Sequence, residues 1–284
     1  DAIKQVFGQM LNEARATEQG QGVALTVKDW VLAALPRLDR DLADAPAARA
    51  TLRRELGSAL NSLGDAAAAH GVLERAVVEN REAYGDSMQT ASAIQLVASA
   101  AFMLGDHLQA EQNSEQTLAM MDRVPDSEDA RILRIQARTT LLRIHSLRGD
   151  QAKALLLAER NLADRIALFG ADDPRLAVDY NNLSGTYNRV SRLAEAEAAA
   201  QKTLELLEAN PARPVARIAF VQQGLCSLAV QRAAYEGGLQ ACARAAELYA
   251  EALGPQSIEL ASVGVTEARL RFAARAEAEA RVLL

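Results

Sequence analysis

The chain has 284 residues, of which 50% are hydrophobic but only 4% aromatic, a balance that suits close helix packing built on Ala and Leu. A net charge of −6 and a pI of about 5.3 give no basic footprint for a nucleic-acid backbone, so nucleic acid is not an expected partner. No apolar run approaches the roughly 20 residues that cross a bilayer, no alternating strand pattern is present, and the start at Asp1 has neither an initiator Met nor a signal-peptide pattern, which reads as an excised fragment.

Residues 1–48 form a distinct opening. Ile3, Val6, Phe7, Met10 and Leu11 fall at helical spacing, Gly20-Gln21-Gly22 interrupts, and Thr26 is placed to cap a second helix carrying Trp30, Val31, Ala34, Leu35 and Leu38. Pro36 predicts a kink or a shifted start in that helix. The pair is expected to be an N-terminal helical cap over the apolar face of the first hairpin. Trp30 lies in the apolar stripe, which favours core packing over an aromatic ligand contact.

Residues 49–284 carry a repeat. Gly64, Gly105, Gly149, Ser191 and Ala233 break apolar helical segments at intervals of 41, 44, 42 and 42 residues. Eight residues before each stands Leu56, Val97, Leu141, Leu183 or Leu225; five after it stands Ala69, Ala110, Ala154, Ala196 or Gly238. Thirteen after it stands Val77, Leu118, Leu162, Leu204 or Ala246. A period of this size predicts stacked helix hairpins, none able to bury its apolar face alone. We read an all-α array of five antiparallel hairpins and a partial sixth, in one continuous domain. Gly64-Asp65, Gly105-Asp106 and Gly149-Asp150 predict left-handed C-caps followed by Asp N-caps, whereas Ser191-Arg192 and Ala233-Ala234 predict weaker caps. Connectors such as Gly85-Asp86-Ser87 and Gly254-Pro255 are too short to be domain linkers. After Pro255, Ala276-Glu277-Ala278-Glu279-Ala280 repeats the pattern of Ala194-Glu195-Ala196-Glu197-Ala198, which marks the partial sixth hairpin.

Tyr180-Asn181-Asn182-Leu183 and Leu168-Phe169-Gly170-Ala171-Asp172-Asp173-Pro174 resemble the opening and connector of the longer tetratricopeptide repeats found in kinesin light chains and many bacterial proteins. The resemblance implies a right-handed superhelical tetratricopeptide solenoid. Val27-Lys28-Asp29-Trp30, followed by Leu38-Asp39-Arg40-Asp41-Leu42-Ala43-Asp44-Ala45-Pro46, looks like the segment that introduces such repeats in bacterial transmembrane serine/threonine protein kinases. That second resemblance implies the extracytoplasmic, periplasmic sensor end of a kinase, with a membrane helix upstream. The alternative is a cytosolic adaptor or regulator. None of the kinase's own catalytic motifs is in this sequence.

No set of convergent polar groups predicts catalysis, a metal or a cofactor, and His70, His107 and His145 lack metal-ligand spacing. Glu195 and Glu197 diverge around a helix and cannot act as a pair. Arg131, Arg134 and Arg138 share one helix face, as structural ion pairs or as an anion site. His145 takes a slot where the repeat pattern often has Tyr. Cys226 and Cys242 lie seven residues before and eight residues after the Ala233-Ala234 turn, roughly opposite each other. Two readings stand for them: a disulfide, or two small buried hydrophobes at a helix crossing.

In the tetratricopeptide family the first helix of each hairpin lines a concave groove that holds peptides. Transferred to this sequence, the groove positions are Arg54, Ser58 and Asn61; Gln95, Ser99 and Phe102; Thr139, Arg143 and Ser146; Asn181, Gly185 and Asn188; and Gln223, Ser227 and Val230. Asn and Gln amides can both donate to and accept from a peptide backbone, so a protein or peptide ligand is the expected partner.

Overall fold

A computed structural model describes residues 26–283, so the expected helix of Ile3 to Leu11 and the Gly20-Gln21-Gly22 break lie outside the described residues. The described residues hold twelve α-helices, one short 3-10 turn at Pro174–Leu176 and no strand. The chain divides into two compact units, Asp1–Ile144 and His145–Leu284. In the first unit α1 (Val27–Asp41) precedes the hairpins α2 (Pro46–Ser62) with α3 (Ala66–Tyr84) and α4 (Met88–Met103) with α5 (His107–Met121). The next helix, α6 (Glu128–Arg148), lies in this unit up to Ile144. The second unit contains α7 (Gln151–Phe169), then α8 (Ala177–Arg189) with α9 (Leu193–Glu208), α10 (Val215–Arg232) with α11 (Tyr235–Leu253), and α12 (Ile258–Leu283).

The start of α1 is set by Thr26. Its hydroxyl accepts from the Asp29 N–H at 3.1 Å, and the Asp29 carboxylate accepts from the Thr26 N–H at 3.1 Å, a reciprocal capping box. Pro36 lies well past the first turn and leaves the start where Thr26 places it; the helix runs on through it. Val31, Ala34 and Leu38 form the buried face and pack with Leu52, Leu56, Leu60 and Leu73 of the first hairpin, and Trp30 packs against the same cluster. Charge completes the attachment. The buried Arg53 of α2 donates to Asp39 of α1 at 2.5 Å and to Glu79 of α3 at 2.8 Å, so the desolvated guanidinium faces a carboxylate on either side.

The turns follow the residue pattern. Gly64, Gly105, Gly149, Ser191 and Ala233 all have left-handed φ, between 54° and 83°. At each, the next residue's N–H reaches back five residues, as from Asp106 to the Ala101 carbonyl at 2.9 Å and from Ala234 to the Ala229 carbonyl at 3.0 Å, which closes the helix end as a Schellman motif. Asp65, Asp106 and Asp150 then accept from the N–H three residues on, while Arg192 and Ala234 make no side-chain cap. A left-handed residue with a Cβ costs about 1–2 kcal/mol. Ala233→Gly is therefore expected to raise stability by about 0.5–1 kcal/mol. Gly105→Ala, whose new Cβ would meet nothing within 4 Å, is expected to lower it by a similar amount for backbone reasons alone. Urea melts of the two variants check the opposite signs.

The closing helices bury a slightly different set from the one expected. The residues five after the turn are buried in all five hairpins, but of those thirteen after it only Leu162 is buried. The buried column lies one residue earlier, at Ala76, Thr117, Asn161, Thr203 and Ala245. Seven residues of helix return to within about 20° of the starting direction, whereas eight overshoot by about 80°, so the earlier position shares the face of the small residue. The hydroxyls of Thr117 and Thr203 are satisfied by carbonyls four residues back, each at 2.9 Å. Beyond Gly254, α12 continues without a turn through Ala276-Glu277-Ala278-Glu279-Ala280, so the sixth pair consists of a single helix in the described residues.

Candidate functional site

The opening helices carry the expected groove residues, and each unit presents its own set. In the first unit, Arg54 on α2 is ion-paired with Glu55 at 2.6 Å. It lines a cavity of about 350 Å³ together with Gln89 and Ser92 of α4 and Asp129 and Gln136 of α6. Ser58, Asn61 and Ser99 are half-buried, and the Asn61 Oδ1 is shielded from solvent without a hydrogen-bond partner among the described residues. Phe102 carries the Arg143 guanidinium 3.9 Å above its ring, and partial desolvation there lowers the arginine's pKa. The Thr139 hydroxyl donates to its own helix, to the Ile135 carbonyl at 2.8 Å.

Gln95 departs from the expected groove. It is 4% exposed and donates to the Thr140 hydroxyl of α6 at 3.0 Å, so it is an internal tie between α4 and α6 and does not face a ligand. The cause is that buried residues take up most of α4 from Thr90 through Ala101, and the partly open stripe runs through Ser92, Leu96 and Ser99, beside Gln95 and not through it.

In the second unit the same positions divide into engaged and unengaged groups. Gln223 accepts from the Tyr249 hydroxyl at 3.1 Å and donates to Ser262 at 2.8 Å; Ser227 donates to the Gln223 carbonyl at 3.1 Å. Gly185 and Val230 are half-buried and offer no polar side chain. Asn181, Ser146 and Asn188 are half-buried, and the Ser146 Oγ and Asn188 Oδ1 are shielded without a partner among the described residues. Near Asn181, burial raises the Asp179 carboxyl pKa even though Arg165 lies 3.2 Å away.

The other candidates resolve into packing. Arg131 and Arg134 both pair with Asp126, and Arg134 also donates to the Met121 carbonyl at 2.7 Å. The buried Arg138 donates to the Arg134 carbonyl at 3.2 Å. Glu195 pairs with Arg192 at 2.9 Å and Glu197 with Arg232, so the two carboxylates do not converge. Among the described residues no group of His, Cys, Asp and Glu is placed to hold a metal ion, and no helix is long and apolar enough to cross a membrane. The Cα atoms of Cys226 and Cys242 are 5.1 Å apart and their sulfurs are bonded as a disulfide between α10 and α11.

One feature was missed in the sequence. A second cavity, of about 370 Å³, opens in the second unit between Gln201 of α9, Gln222 and Leu225 of α10, and Gly237, Gly238 and Gln240 of α11. The signal was Gly237, whose missing side chain leaves open space on a closing helix, beside Gly238, where an added Cβ would collide with Ala229 and Leu270.

Antiparallel helix hairpins with small residues at their crossings define the tetratricopeptide-repeat class of fold. The structure of BtubC (BKLC) from P. vanneervenii is 20% identical, with a TM-score of 0.57 over 73% of this chain and 85% of that one. Kinesin-light-chain-like, nearly identical TPR-like repeats from Podosopora anserina are 15% identical, with a TM-score of 0.57 over 72% of this chain and 96% of that one. The apo form of RapI is 12% identical, with a TM-score of 0.65 over 99% of this chain and 74% of that one. No family model and no curated protein matches the chain.

Proposed function

We propose that this chain is a non-catalytic binding domain that holds a protein or peptide segment against the opening helices of its hairpins. The observation that carries this reading is the pair Asn61 and Asn188, one in each unit, three residues before a turn, with amide oxygens that no group among the described residues satisfies. An unsatisfied buried acceptor costs about 1–3 kcal/mol, and a backbone N–H of a bound strand would supply the missing donor after a small side-chain rotation. Replacing Asn61 and Asn188 together by Ala is expected to weaken enrichment of the peptides that the native chain selects from a displayed library, with the helical circular-dichroism signal unchanged. Selection of the same peptides at the same affinity would remove the groove assignment.

The finer reading is the periplasmic sensor portion of a bacterial serine/threonine protein kinase. Its support is the introductory segment from Val27 to Pro46 and a cysteine pair in bonding position, since disulfides persist chiefly in oxidising compartments. A cytosolic adaptor using the same helix faces is the alternative. Topology reporters fused to the full-length product in its host separate them: phosphatase activity outside the membrane supports the sensor, fluorescence in the cytosol the adaptor.

A further inference from the structure

The helix α12 has two apolar faces. Val263 and Leu270 are buried at 1% and 0% exposure, while Ile258, Val265 and Phe272, spaced seven apart, are 79%, 55% and 76% exposed on another side. Ala261 and Ala268 lie between them and are exposed too. The stripe 258, 261, 265, 268, 272 steps by three and four, the spacing of a helix-pairing seam. A solvated helix has no use for such a seam.

We propose that this stripe pairs with the same stripe of a second copy of the chain, antiparallel, to form a two-fold dimer. The seam is self-complementary in size. With Val265 of one copy set against Ala268 of the other, Phe272 falls against Ala261 and both relations repeat through the two-fold axis, as an isologous interface requires. A large side chain meets a small one at each of these layers, which lets the helices approach closely.

Charge agrees with the same register. Arg269 would face Ser262, and Arg271, held by Glu267 at 2.7 Å, would face Gly264, so no arginine opposes another. Arg275 would lie beside Ile258 of the other copy, an aliphatic contact for its stem. A parallel pairing in register would instead stack Phe272 on Phe272 and Ala261 on Ala261, losing the size match.

Sedimentation of the 284-residue chain across the micromolar range tests the proposal. The mass is expected to rise to twice that of the monomer, and Val265→Glu is expected to leave a monomer at every concentration with its helical signal intact. Val265→Ala and Ala268→Val should each weaken the dimer by spoiling the size match, and the two together should restore it. A native chain that stays monomeric, or a dimer indifferent to Val265→Glu, overturns the proposal. A dimer weakened by Val265→Ala and by Ala268→Val but not restored by the two together overturns the antiparallel register.

Discussion

Replacing Leu183 by alanine is expected to lower the unfolding free energy by about 2–5 kcal/mol, the transfer cost of the side chain plus that of the cavity it leaves. Leu183 is 5% exposed on α8, at the position eight residues before its turn. Its neighbour Ser184 is held by the Ala196 carbonyl of α9 at 2.7 Å, so the two helices cannot easily close over the space. The same column offers an internal control. Leu225 stands at the equivalent place in the next hairpin but is half-buried and borders the second-unit cavity, where its removal enlarges an existing opening. Leu225→Ala should therefore cost clearly less than Leu183→Ala in urea denaturation. Equal costs would mean that the cavity is closed in solution, and a negligible cost at Leu183 would mean that the hairpin register is wrong.

The parts of the fold legible in the sequence were those set by local chemistry. A left-handed residue at a fixed interval, with an Asp after it in three cases, needs only the chain's own backbone to define a turn, and all five were placed correctly even where Ser191 and Ala233 replace glycine. Thr26 as a cap was legible for the same reason. Burial within the closing helices was legible to about one residue, because the eye is drawn to the bulky Val77 and Leu204 whereas the packing face is fixed by the small residues seven apart. The groove was much less legible. Whether Gln95 faces a ligand or Thr140 depends on how closely α4 is enclosed on its other sides, and no local signal in the sequence reports that. Gln223 is engaged by Tyr249 and Ser262, residues 26 and 39 positions away, a loss that becomes visible only once α10, α11 and α12 are assembled.

Breaking the Cys226–Cys242 bond is expected to lower stability by about 3 kcal/mol, the chain-entropy value for a loop of this size, given a sequence separation of 16. The position explains why the fold itself should survive. Equivalent places in other hairpins hold Gly57 with Leu73, Ala98 with Ser114, and Ser184 with Ala200, where Gly57 lies so close to its partner that an added Cβ would meet Leu73 at 2.6 Å. These are crossing points at which small residues already bring two helices together. Both cysteines are fully buried, so as thiols they would pack there as small hydrophobes. The bond's contribution then lies largely in restricting the unfolded chain. Reduced native chain and the double variant Cys226→Ala/Cys242→Ala should consequently melt together in urea, both about 3 kcal/mol below the oxidised chain. Thiol counting on the denatured, unreduced protein gives the independent check: no free thiol is expected. Two thiols per chain in protein taken from its native compartment would leave the pair as packing residues and remove the support it lends to a periplasmic location.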